Sequence, residues 1–75
     1  MSVLPSAKRD RFVRALVKMG ATVEEARGGG SGNKVAYKGR RTNFHVHPSK
    51  EIGPSLGMRI LKDLGISPEE FVRYL

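Results

Sequence analysis

Two histidines, His45 and His47, stand two positions apart in Arg41-Thr42-Asn43-Phe44-His45-Val46-His47, and imidazole is the side chain that most readily takes and gives a proton at neutral pH. Phe44 and Val46 alternate with Asn43, His45 and His47, the period-2 pattern of a strand that is dry on one side only. Both imidazoles are therefore expected on one face. Their Cβ atoms would lie roughly 6 to 7 Å apart along the strand, a spacing that can bracket a phosphodiester. The bland alternatives are that His47 orients the loop that follows and that His45 is merely exposed. With no carboxylate or thiolate beside them the pair is not a metal site, and no cofactor is expected.

A second strand is expected to present these residues. Asn33-Lys34-Val35-Ala36-Tyr37 alternates as well, with Val35 and Tyr37 on one side and Lys34, Ala36 and Lys38 on the other. Lys38-Gly39-Arg40 is a tight link, so the two runs read as a hairpin. If both apolar faces meet one core, the opposite face collects Lys34, Lys38, His45 and His47. The segment from Arg27 to Lys50 holds six basic residues and no acidic one, adding Arg40, Arg41 and Lys50 to the candidate phosphate contacts.

Seventy-five residues make a single domain, 1–75, which buries roughly 60% of its unfolded surface and leaves no room for a deep enclosed pocket. A formal charge of +7 and a pI near 10.4 point to a polyanion, because each cation against a phosphate releases a condensed counterion. An acidic protein partner satisfies the same charge. The absence of cysteine excludes disulfides, thiolate zinc sites and thiol nucleophiles and fits a reducing cytosol. No apolar run approaches the ~20 residues of a membrane span, and the amino terminus lacks a signal-peptide core, so a cytoplasmic protein without membrane attachment is expected.

The remaining elements read as supports. Ser6 is placed to cap a helix from Ala7 to about Met19, with Phe12, Val13, Leu16 and Val17 as its apolar stripe and Lys8, Arg9, Arg11, Arg14 and Lys18 outside. Thr22 and Val23 mark a short strand from Ala21 to about Ala26. Gly28-Gly29-Gly30-Ser31-Gly32 reads as a loop. A P-loop is excluded, because a strand rather than a helix follows it. Pro48 to Pro54 reads as a loop, and Ser55 then caps a helix burying Leu56, Ile60, Leu61 and Leu64 that stops at Gly65. Ser67-Pro68-Glu69-Glu70 opens a last short helix burying Phe71, Val72 and Leu75. No helix-turn-helix pair stands out for DNA. The fold expected is α+β, one antiparallel sheet with helices on a single face and the basic face left open.

The ordered set His47-Pro48-Ser49-Lys50-Glu51-Ile52, Pro54-Ser55-Leu56 and Arg59-Ile60-Leu61-Lys62-Asp63-Leu64-Gly65-Ile66-Ser67-Pro68-Glu69-Glu70-Phe71 resembles the small HicA toxins, and the helix ending at Met19-Gly20 fits as well. The resemblance implies a double-stranded-RNA-binding-like α-β-β-β-α fold in a messenger-RNA-cleaving toxin neutralised by a HicB-type antitoxin. It also exposes a departure. The family pattern is Gly-Ser-His at the start of the second strand, and its RNA cleavage depends on that histidine; here the slot reads Gly32-Asn33-Lys34.

Metal-free RNA cleavage needs one group to remove the 2′-hydroxyl proton and another to protonate the leaving oxygen. A lysine, with a reference value of about 10.4, holds phosphate well but is a poor base on an exposed sheet. Three readings follow. One is an RNA-binding module with nuclease activity weakened or lost, the second a ribonuclease acting through His47 and possibly His45. The third is a basic module for an acidic protein.

Overall fold

The period-2 alternation of the central segment is realised as a three-stranded antiparallel sheet in the computed structural model, which describes residues 4–25, 32–47 and 49–75. The elements are β1 (Ala7–Lys8), α1 (Arg9–Lys18), β2 (Thr22–Glu25), β3 (Gly32–Tyr37), β4 (Arg40–His45), β5 (Glu51–Ile52), α2 (Pro54–Leu64) and α3 (Pro68–Val72). The sheet order is β2-β3-β4, and β1 and β5 form a separate two-stranded ladder. The architecture is α+β in an α-β-β-β-α arrangement, with helices covering one side of the sheet.

Register follows from the hairpin. Tyr37 pairs with Arg40, so Lys38 and Gly39 form a two-residue turn with φ of 47° and 81°. Positive φ at both positions is the type I′ geometry, whose twist matches the flanking strands. From that turn the pairing runs unbroken to Gly32 opposite His45. Val35 and Phe44 fall on the inner face and are buried with Phe12 and Leu16 of α1 and Ile60, Leu61 and Leu64 of α2. Phe12 also meets Phe71 of α3, ring centroids 4.6 Å apart and tilted by 45°.

Several boundaries differ from the sequence expectation. Ala7 and Lys8 pair with Ile52 and Glu51, so α1 starts at Arg9 with Lys8 at its N-cap, and Ser6 caps nothing. Pro54 takes the first position of α2, which moves its N-cap from Ser55 to Gly53. Gly57 is buried, and a Cβ there would sit 2.5 Å from Leu4, so this helical glycine admits close packing. Ser67 does cap α3, its hydroxyl accepting from the Glu70 amide, and Gly65 ends α2 with φ of 71°. Val17 and Val72, expected inside, are exposed. The glycine run 28–31, residues 26 and 27, and Pro48 lie outside the described residues, whereas Gly32 is the first residue of β3 rather than part of a loop.

The largest departure is Arg9. Expected on the solvated side of α1, it is 6% exposed, and its guanidinium donates to Asn33 Oδ1 at 3.1 Å and Asp10 Oδ1 at 2.8 Å. Asn33, fully buried, faces inward between Lys34 and Gly32, which face out. The contact fastens the start of α1 to the start of β3. Asn33→Ala removes an acceptor from a buried cation, and a loss of about 1–3 kcal/mol is expected. Thermal unfolding followed by circular dichroism measures it, with Asn33→Asp as the variant that retains the acceptor; an unchanged midpoint for Asn33→Ala would show that this contact contributes nothing.

Candidate nucleic-acid interface

Because β3 alternates without a bulge, Lys34 and Ala36 project from the face opposite the core, and Arg41, Asn43 and His45 do the same from β4. Thr22 and Glu24 complete this outer face from β2. Lys34 occupies its middle, directly opposite Glu24 on one side and Asn43 on the other. Directly opposed residues carry Cβ atoms about 4.5–5.5 Å apart, so one side chain of each sign and an amide share a single row.

A second layer arrives from α2. Arg59 donates to the backbone carbonyl of Asn43 at 3.0 Å, and Asp63 accepts from the Thr42 hydroxyl at 2.9 Å. These contacts hold α2 against the outer strand β4. Lys34, Arg41, Asn43, Glu24, Arg59 and Asp63 thereby line an open cleft of about 870 Å³. Three cations, Lys34, Arg41 and Arg59, against two carboxylates, Glu24 and Asp63, leave its lining net positive.

The histidines differ in their setting. β4 ends at His45, whose ring lies over Gly32; a Cβ on that glycine would come within 2.7 Å of the imidazole Cε1, so glycine leaves room for the ring. His47 stands beyond the strand. Its Nδ1 accepts the Ser49 amide at 3.2 Å and meets the Ser49 hydroxyl at 2.8 Å, while its carbonyl accepts from the Lys50 amide. It shapes the loop into β5, one histidine beyond the ladder.

The other candidate residues are dispersed. Lys38 sits in the hairpin turn with its ammonium 5.2 Å from the Tyr37 ring centroid, since period-2 alternation does not continue through a two-residue turn. Arg40 lies against Gly65 at the C-terminal end of α2, on the helical side of the sheet. Lys50 is exposed in the loop after β4. Lys34, Arg41 and His45 are the candidates the fold brings to one surface. Glu24, Asn43, Arg59 and Asp63 were missed as site residues, and only Glu24 and Asn43 carried a signal, through strand alternation. Among the described residues no group of three or more histidine, aspartate or glutamate side chains is placed to hold a metal ion.

A model of the family described as HicA toxin of bacterial toxin-antitoxin matches residues 9–66. The chain belongs to the HicA toxin family. No curated protein and no solved structure matches it. The matched span of this HicA domain runs from Arg9 at the head of α1 to Ile66 after α2, and so contains the whole sheet and the cleft. Among the described residues no helix is long and apolar enough to cross a membrane.

Proposed function

We propose that this HicA-family protein binds RNA across the outer face of its sheet, with Lys34 as the central phosphate contact and with nuclease activity weakened or lost because lysine stands where the family pattern has histidine. The observation that carries this reading is the position of Lys34 in the middle of the cleft, between Glu24 and Asn43 and within a surface that includes Arg41 and Arg59. An ammonium there neutralises a phosphate. An exposed ammonium is the wrong group to abstract a hydroxyl proton.

The expected behaviour is salt-sensitive RNA binding by the cytoplasmic protein, with the same face available to a HicB-like antitoxin. Lys34→Ala is expected to weaken binding of a short single-stranded RNA severalfold and to reduce the slope of log affinity against log salt by about 0.7. Fluorescence anisotropy at several salt concentrations measures both quantities. Undetectable binding by the wild-type protein, or binding indifferent to salt, would sink the reading.

Active cleavage through a histidine is the second reading, favoured by the location of His45 on the same face as Lys34. His47 is the other candidate for this chemistry, from the loop beyond β4. Metal-free RNA cleavage by the wild type that disappears in His45→Ala or His47→Ala is the result that would select it.

A further inference from the structure

A second cationic surface lies away from the sheet cleft and shares no residue with it. On the outward side of α1, Arg11, Arg14 and Lys18 follow one another at spacings of three and four, which sets them in a row along the helix. The row extends about 10 Å at 1.5 Å per residue. It borders a groove of about 630 Å³ whose other wall includes Tyr74, in the turn that follows α3.

Two acids, Asp10 and Glu51, also line this groove. Asp10 accepts from the Arg9 guanidinium, and Glu51 stands directly opposite Lys8 in the β1–β5 ladder. Arg11 donates to the Leu75 carbonyl at 3.0 Å, which fixes its direction beside the tyrosine. Arg14 and Lys18 are exposed and form no ion pair with a described residue. Tyr74 is 39% exposed, whereas all three phenylalanines are buried.

We propose that this groove is a second contact for single-stranded RNA, in which a base stacks on Tyr74 while the adjoining phosphates meet Arg14 and Lys18. The proposal rests on the RNA-binding reading above and extends it to a surface other than the sheet. Cations alone would suit an acidic protein equally well; the exposed ring beside them favours nucleic acid, because every base offers a π-face and successive phosphates meet the charges. Arg11 ties α1 to the chain next to Tyr74.

The test uses the intact chain and a fluorescein-labelled oligouridylate about ten nucleotides long, followed by anisotropy. Tyr74→Ala is expected to weaken binding between about 5-fold and 150-fold, the range of one lost base stack, whereas Tyr74→Phe stays within about twofold. The double variant Arg14→Ala/Lys18→Ala is expected to lower the salt slope by about 1.4, two phosphates at about 0.7 each. Circular dichroism checks that the variants remain folded. If Tyr74→Ala and the double variant bind like the wild type while Lys34→Ala binds more weakly, the groove does not hold RNA and the sheet reading stands. If these variants instead lose binding to polyglutamate with RNA affinity unchanged, the surface serves an acidic protein and the proposal is overturned. A wild-type protein that binds no RNA removes both readings together.

Discussion

A Lys34→His variant is expected to cleave single-stranded RNA at least about 10²-fold faster than the wild type, the contribution of one well-placed general acid–base group. Cleavage at a ribose 2′-hydroxyl proceeds by removal of its proton, attack of the 2′-oxygen on phosphorus, and departure of the 5′-oxygen with a proton supplied to it. The products are a 2′,3′-cyclic phosphate and a free 5′-hydroxyl. Position 34 suits such a group because it occupies the middle of the outer face, where β2 and β4 flank it and Arg41 and Arg59 line the same cleft. Imidazole, unlike an ammonium, exchanges protons readily near neutral pH.

End-labelled RNA incubated with each protein in a chelator and resolved on a denaturing gel measures the difference, and growth arrest on induction reads it in cells. A variant that binds RNA as tightly as the wild type but cuts no faster would mean that position 34 is not the histidine slot. Wild-type cleavage equal to that of the variant would place the chemistry elsewhere, with His45 the first residue to substitute.

The hairpin was legible in the sequence because its alternation and its turn agree. Val35, Tyr37 and Phe44 face inward as their spacing requires, and Lys34 and His45 face outward. What alternation cannot carry is where a strand stops. Lys38 lies within the turn and His47 beyond the end of β4, so two of the four residues assigned to one face lie outside the ladder. The composition of a segment is equally silent on its neighbours: the stretch from Arg27 to Lys50 contains no acid, yet β2 places Glu24 opposite Lys34.

Arg59 and Asp63 were hidden for a related reason. Both look like the solvated side of an amphipathic helix, and only the packing of α2 along β4 brings them to the sheet's rim. Arg9 shows the converse, a charged residue drawn inside because Asn33 accepts from its guanidinium. Side chains that find their partners across the fold leave no periodic trace.

Phe71→Ala is expected to destabilise the protein by about 3–5 kcal/mol, the cost of removing a buried aromatic ring together with the cavity it leaves. The whole stability of a 75-residue domain is only about 4–11 kcal/mol on a per-residue basis, so one substitution in the shortest helix is expected to remove a large share of it. The reason is geometric. Phe71 is 0% exposed and packs on Phe12, which joins α1 to the same core as Val35 and Phe44 of the sheet.

This position also bears on where the domain ends. The family match stops at Ile66, two residues before α3 begins, and at the other end Leu4, 2% exposed, precedes the match at Arg9. Both outlying residues belong to the one hydrophobic cluster. The folding unit is therefore expected to extend past the matched span on both sides, at least from Leu4 to Phe71. Urea denaturation of the wild type and Phe71→Ala, with Val72→Ala as an exposed neighbour expected to change little, measures the difference. A loss below about 1 kcal/mol for Phe71→Ala would be too small for a core aromatic, and would make α3 an appendage on a domain that is complete by Ile66.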